Sequence, residues 1–468
     1  MSQVKPKSEV NMKKVLITIV LAVVIALLPP PDGLTPEIMR YIGIFFAMIF
    51  GMVIDAAPNW AVTTFCAIAM VGFKVTSLGN VMKNYSASFV WMLIAVMGFA
   101  GCVAQSGLMK RIAFNVLKVF PPSFTGQVLA ISSVGIVLTP LVPSTSAKLA
   151  VLAPFTASIA AETGIEPHSK GLKGLWFSMF NITFTGAFAV LTGSNANFIL
   201  LGAIPPEAAE AFNFMMWLKS SLLWWVIFVV GSIAISVTLY RPEKPINLSK
   251  EFLQERLAEI GPMSADEKFS VLVLAFAIIM WVTETTHGVP ALVVSWIAFA
   301  AMILRGKFST RDVNAKIPWS LLVFVGSMMG VSDHMGACGL NEWLGEKLGP
   351  IILPLVPNSF AFIIVMVLVT WVLRMGVDLF SIIPISMAIF GPIAAILGVH
   401  PWIVVWVCFV NGQQWVLPHN QIQLVQCSAM MNGVIEHKDV GTMSWLYMAI
   451  SLVASLASVP LWTAMGLM

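Results

Sequence analysis

Charge is what this chain has least of. Only 10% of its 468 residues are Asp, Glu, Lys or Arg, against about 25% in a soluble domain, so a water-facing globular fold is excluded. Cysteine is scarce too. The 5 present, Cys66, Cys102, Cys338, Cys408 and Cys427, are odd in number and form no CxxC pair. That excludes a disulfide framework and a thiolate zinc site, and the five read as small apolar residues. Basic runs are missing: the net charge of +4 comes from Lys and Arg scattered near the ends of apolar segments. Such scatter is a topology signal and not a nucleic-acid surface. Ten-residue alternating segments are missing as well, which excludes a membrane β-barrel.

What abounds is apolar sequence, with 58% hydrophobic residues and a mean hydropathy of +0.90. Backbone polar groups in lipid must be satisfied internally, so continuous runs of about twenty apolar residues read as membrane-spanning helices. Candidate spans fall near 13–30, 37–55, 58–76, 87–105, 213–240, 268–286, 289–305, 319–337, 357–375 and 443–466. The first follows Lys13 and Lys14 and ends at Pro29-Pro30-Pro31 with no small-residue cleavage site. It reads as a transmembrane helix with a cytoplasmic N-terminus, not as a signal peptide. Two longer stretches, 126–205 and 376–430, are apolar but interrupted by Pro, Gly, Ser and Asn. The hydrophilic connector from Arg241 to Lys268 separates two halves; within it Leu253, Leu257 and Ile260 share one helical face, the pattern of an amphipathic surface helix.

The halves resemble each other. Residues 80–108 lie on 312–340 at a constant offset of 232 (339 − 107), matching Val81 with Val313, Met97 with Met329, Gly98 with Gly330, and Gly107-Leu108 with Gly339-Leu340. Further on, 191–195 lies on 416–420 at an offset of 225 (420 − 195), with Asn195 meeting Asn420. Lys110, Arg111 and Lys118 follow the first copy, whereas Arg305, Lys307, Arg311 and Lys316 precede the second. By the positive-inside rule the copies cross in opposite directions, and inverted repeats are a mark of secondary transporters. The expected organisation is N-terminal scaffold helices over 1–76, a first repeat over 77–240 with a hairpin near 126–160, the connector over 241–268, and a second repeat over 269–468 with a hairpin near 376–398.

In such architectures the ligand sits where helices are broken near the midplane. TPLVPSTSAKLAVLAPF (139–155) has Pro140 and Pro143 to break a helix, then Ser144, Thr145 and Ser146 at a turn opening a new one. The orphan N–H groups and positive dipole end of that helix suit an anion, and Lys148 adds a full charge. The matching stretch of the second half, RMGVDLFSIIPISMAIFGP (374–392), carries Arg374, Asp378, Ser381, Pro384 and Ser386. Asp378 suits a cation or proton, and Arg374 is either its i,i+4 partner or a ligand for substrate. TGSNANF (192–198) and LPHNQIQ (417–423) place Gly193, Asn195, Pro418, His419 and Asn420 where unwound backbone faces the hairpin tips. Their carbonyl and amide oxygens suit a hard cation such as Na⁺. Asp333 and His334 look intramembrane and are either functional or a structural pair; Glu284 and His287 read as a loop corner. A Ser144/Lys148 dyad keeps an intramembrane hydrolase open as a distant alternative.

These residues resemble the divalent anion/sodium symporter family of di- and tricarboxylate carriers over nearly the whole chain. KIPWSLLVFVGSMMGVSDHMGACGLNEWL (316–344), SGLMKRIAFNVL (106–117) and WVTETTHGVP (281–290) are similar to recurrent segments of that family. PSTSAKLAVLAP (143–154) is similar to its Ser-Asn-Thr hairpin tip, with a basic residue at Lys148 as in its citrate/succinate and 2-oxoglutarate/malate exchangers. The resemblance implies that Thr145 and Ser146 bind a substrate carboxylate, and that Ser144, Thr145 and the Gly193 backbone line a first sodium site. Two departures stand out: Thr145 replaces the Asn of the first tip, and Ser381-Ile382-Ile383-Pro384 replaces the second tip, which leaves Asp378 and Pro418 as a doubtful second sodium site.

The expectation is therefore an all-α polytopic membrane protein of two inverted repeats, with re-entrant hairpins and broken helices, divided into a scaffold and a mobile transport domain. It is not an enzyme and needs no cofactor beyond Na⁺ as coupling ion. It would move a di- or tricarboxylate by symport or antiport, using Thr145, Ser146, Lys148, Asn195, Ser381, His419 and Asn420. An inorganic divalent anion such as sulfate is the alternative cargo. Family likeness further implies a homodimer with an elevator mechanism, set in lipid in a bacterial inner membrane.

Overall fold

The computed structural model describes residues 10–352, 354 and 356–468, and every regular element among them is helical. Numbering helices of eight residues or more, the first half runs α1 (Met12–Leu27), α2 (Pro36–Val53), α3 (Asn59–Gly72), α4 (Ser88–Gln105), α5 (Leu108–Leu117), α6 (Phe124–Leu138), α7 (Thr145–Glu162), α8 (Lys170–Phe180), α9 (Asn195–Gly202) and α10 (Phe214–Leu239). The connector carries α11 (Lys250–Ile260). The second half runs α12 (Ala265–Val282), α13 (Ala291–Leu304), α14 (Trp319–Ala337), α15 (Leu340–Ile352), α16 (Ser359–Leu373), α17 (Ile382–Leu397), α18 (Pro401–Asn411), α19 (Ile422–Met430) and α20 (Met443–Ala464).

From α2 onward the two halves repeat one element order, and their packing repeats with it. α3 packs on α14 while its counterpart α13 packs on α4; α10 packs on α8 and α6 as α20 packs on α18 and α16; α10 and α20 pack on each other. Partner exchange of this kind is what a two-fold relation between halves produces. The matched glycines show why the pattern is fixed. A Cβ on Gly98 would lie 2.4 Å from the Phe299 ring, and one on Gly330 would lie 2.4 Å from the Val81 carbonyl oxygen, so each half needs a bare backbone where the other crosses it. Gly107 and Gly339 hold φ at +87° and +76°, a region that favours glycine, and each turns the chain into the next short helix.

Among the described residues, four segments are long and apolar enough to cross a membrane: Pro36–Val53, Leu78–Gln105, Phe214–Leu239 and Met443–Ala464. Thr310–Lys316 and Trp319–Ala337 would make a fifth as a pair bent by 58°. The helices at α3, α6, α13, α16, α17 and α18 are apolar but shorter. At about 1.5 Å per residue, a 15-residue arm such as α6 covers about 22 Å of a hydrocarbon core roughly 30 Å thick. Such arms pair as hairpins, α6 with α7 and α16 with α17. The run read from sequence as a span over 357–375 is a helix of 15 residues, α16, which packs against α17. Its uninterrupted apolar stretch is indistinguishable from a span until the buried Arg374 ends it.

Each hairpin arm starts from a local signal. Ser123, Ser144 and Asn358 accept backbone N–H bonds from Gly126, Ala147 and Ala361 at 3.3, 3.2 and 3.0 Å, supplying the acceptors that helix N-termini require. The connector is tied down as well. Arg111 donates to Glu267 at 2.8 Å and to the Gly261 carbonyl at 2.9 Å, closing the end of α11 on the first repeat. Leu257 and Ile260 pack inward on this helix, while the side chain of Leu253 lies outside the described residues.

Candidate functional site

The first hairpin tip is the turn between α6 and α7. Ser144 caps α7, its hydroxyl accepting the Ala147 N–H at 3.2 Å and its carbonyl accepting the Lys148 N–H at 3.1 Å. That leaves the amides of Thr145 and Ser146 as the orphan donors at the helix start. Thr145 is buried, Ser144 and Ser146 are half-buried, and Lys148 is 0% exposed.

Opposite this tip the chain unwinds. α8 passes into a π segment (Asn181–Thr185) and two short 3-10 turns before α9 begins at Asn195. Unwound backbone at this depth needs partners, and Asn197 supplies them, donating to the Phe188, Val190 and Leu191 carbonyls at 3.1, 2.8 and 3.2 Å. The break is laced to the tip by Thr192 Oγ1 donating to the Pro140 carbonyl at 3.2 Å and the Asn195 N–H to Pro143 at 2.9 Å. The structure thus brings Ser144, Thr145, Ser146, Lys148, Gly193 and Asn195 together. The Lys148 ammonium donates to the Gly193 carbonyl at 2.8 Å; it does not reach back to Ser144, so the dyad of a hydrolase is not formed.

The second tip is built differently. Arg374, 1% exposed, ends α16 and donates from Nε to the Gly412 carbonyl at 2.7 Å, and from its two terminal nitrogens to the carbonyls of Val377 and Asn420. Asn420 returns a bond from Nδ2 to the Arg374 carbonyl at 2.6 Å and accepts the Leu417 N–H at 2.9 Å. Asp378 accepts the N–H groups of Phe380 and Ser381 at 2.9 and 3.2 Å and the Ser381 hydroxyl. These contacts give four of the expected site residues other surroundings. Asn420 latches the tip to the break, and Ser381, fully buried, spends its hydroxyl on Asp378. Asp378 caps the turn that leads into α17, accepting from Phe380 and Ser381. Pro418 is exposed on the outer side of the break. The side chain of His419 lies outside the described residues.

One bond joins the two sets. The Ser146 hydroxyl donates to Gln426 Oε1 at 3.3 Å, from the first turn of α7 to α19 of the other half. Gln426 is exposed, and sequence reading missed it because no local pattern marks a contact across 280 residues. Asp333, Glu284 and His287 have local partners of their own. Asp333 accepts from Asn84 at 2.9 Å and sits 3.8 Å from the Lys83 ammonium, at the wall of a cavity of about 340 Å³ that Asn341, Pro384 and Met387 also line. Glu284 accepts the Ala291 N–H at 3.2 Å at the start of α13, and His287 closes the preceding corner on the Met280 carbonyl.

The residues expected to hold sodium already carry hydrogen-bond partners. In the first set the Gly193 carbonyl carries an ammonium and the Ser144 hydroxyl faces a backbone N–H. A sodium ion on that carbonyl would have to share it with the Lys148 side chain. In the second set the Asp378 oxygens are taken by Phe380 and Ser381.

Two matching helical halves, each with a hairpin tip facing a broken helix, define the architecture of a secondary transporter. The chain belongs to the sodium:sulfate symporter transmembrane region family, whose pattern matches residues 9–418; it is a transporter and not an enzyme. Inner membrane protein YbhI of Escherichia coli is 26% identical over 347 residues, 71% of this chain and 72% of its own. Dicarboxylate transporter 1 of Spinacia oleracea chloroplasts is 22% identical over 354 residues, 74% of this chain and 62% of its own. The solved structure of Neisseria gonorrhoeae MtrF, described among antimetabolite efflux pumps, shares the fold at a TM-score of 0.56 and 14% identity, over 98% of this chain and 96% of that one.

Proposed function

We propose that this protein is a sodium-independent exchanger of dicarboxylate anions, with the substrate held at the first hairpin tip. The carrying observation is the Lys148 amine on the Gly193 carbonyl, which supports a resident positive charge in the role that a coupling cation plays in a symporter. The bond to Gly193 uses one of the three ammonium donors. A substrate carboxylate can take the others together with the Thr145 and Ser146 amides, at a helix end already favourable to anions. The relationship to a dicarboxylate transporter supports carboxylate as the cargo.

Exchange follows from the same charge. A coupling ion leaves with its substrate, so an empty symporter can return without it. A lysine cannot leave. The empty carrier keeps a buried ammonium with a carbonyl as its partner, and an uncompensated charge inside a membrane protein costs at least about 2.5–3.5 kcal/mol on insertion scales. Return is favourable only with a second anion bound. The inverted halves, the scaffold and transport division and the homodimer of an elevator carrier accord with this reading, the hairpins and broken helices forming the moving unit. The test is counterflow in proteoliposomes of the purified protein. Labelled succinate is expected to enter vesicles loaded with unlabelled succinate and to stay out of empty ones; equal entry into both would refute exchange.

A further inference from the structure

The bond between Ser146 and Gln426 changes what each side chain has left to offer. The Ser146 hydroxyl hydrogen is directed at Gln426 Oε1, so its oxygen is left as an acceptor and not as a donor to carboxylate. Gln426, with Oε1 taken, presents the two N–H donors of its amide, and the residue is exposed. An acceptor beside a pair of donors matches a group carrying both a hydrogen to give and an oxygen to receive. Succinate has no such hydrogen at neutral pH, since both its carboxylates are ionised. A 2-hydroxydicarboxylate has one, on the carbon next to a carboxylate.

From this geometry, and resting on the carrier function proposed above, we infer that Ser146 and Gln426 form a specificity pair for the hydroxyl of 2-hydroxydicarboxylates. The substrate hydroxyl donates to Ser146 Oγ, and Gln426 Nε2 donates to the hydroxyl or to its neighbouring carboxylate oxygen. Lys148 and the α7 amides serve the carboxylate common to all dicarboxylates and do not read the hydroxyl. Because the pair reaches from the first tip to α19, the hydroxyl is sensed only when the two halves are together. A site built to hydrogen-bond a substrate hydroxyl discriminates against the analogue lacking it, since its polar groups are then left unmatched.

The test compares labelled malate and labelled succinate counterflow in vesicles loaded with succinate, for the wild type, Gln426→Leu, Ser146→Ala and the double variant. Gln426 is exposed, so its replacement leaves the packed core untouched; elution as a single species confirms this. The wild type is expected to favour malate. Each single variant is expected to raise the half-saturating malate concentration about fivefold to tenfold, the worth of one good hydrogen bond, while the succinate value moves less than about twofold. The double variant is expected to lose no more than either single one, as for residues acting as a unit. Equal losses for both acids, or no loss for malate, would overturn the inference while leaving the carrier intact. A wild type that exchanges neither acid would instead overturn the carrier reading on which it rests.

Discussion

The two hairpin tips occupy matched places in the repeat and meet matched broken helices, yet they place their positive charge on opposite arms. At the first tip the basic residue, Lys148, lies in the helix that leaves the turn; at the second, Arg374 closes the helix that enters it. Both reach a carbonyl in the facing break, Gly193 in one half and Gly412 and Asn420 in the other. The difference is in what remains. Arg374 is committed through three nitrogens to three carbonyls and works as a structural pin. Lys148 spends one donor and keeps the others, so the first tip is the one equipped to receive an anion.

Removing the pin should have the largest effect. Arg374→Met leaves the Gly412, Val377 and Asn420 carbonyls without their donor, at about 1–3 kcal/mol for each buried orphan. The thermal midpoint in detergent should fall by more than for any other change at either tip, with loss of counterflow. An unchanged midpoint would mean that the guanidinium is not what holds the second tip to its break.

The matched glycines test the relation between the halves more gently. Gly330→Ala drives a methyl against the Val81 backbone oxygen, whereas Gly98→Ala meets the Phe299 ring, a side chain that can turn. Overpacking costs about 1–3 kcal/mol; Gly330→Ala should stand at the upper end and Gly98→Ala at the lower. The reverse order in melting experiments would show that the backbone crossing at Gly330 is the more yielding one.

The smallest effects separate the caps. Asp378→Ala removes the acceptor for two backbone N–H groups and a hydroxyl, while Ser144→Ala removes the acceptor for one. Losing a cap costs about 0.5–2 kcal/mol, so Asp378→Ala should lower the midpoint more than Ser144→Ala. Equal shifts would indicate that Asp378 is not acting as a cap.

Much of this was written into the sequence where sterics leave no choice. Gly98, Gly107, Gly330 and Gly339 announced the repeat because the crossings and left-handed turns tolerate little else, and the Pro-Ser-Thr-Ser turn announced the first tip. The pairing of α16 with α17 was hidden, because Ser359–Leu373 is apolar but for Ser359 and Thr370 and reads as a span. The duties of Arg374 and Lys148 were hidden for a different reason. Their partners are main-chain carbonyls, which every residue carries and no pattern marks. Asn195 meets the first tip through its backbone N–H, a contact that side-chain patterns do not mark. Gln426 was out of reach because its partner belongs to the other half.

The central claim is that Lys148 takes the place of a coupling cation, and replacing that residue tests it most directly. Succinate uptake should be compared for the wild type and Lys148→Ala in proteoliposomes under sodium and under an impermeant organic cation. The wild type is expected to be indifferent to sodium. Lys148→Ala, with the Gly193 carbonyl released, is expected to lose at least about tenfold in uptake without sodium, about 1.4 kcal/mol, and to recover part of it when sodium is supplied. A wild type driven by sodium, or a Lys148→Ala protein as active without sodium as the wild type, would contradict the account.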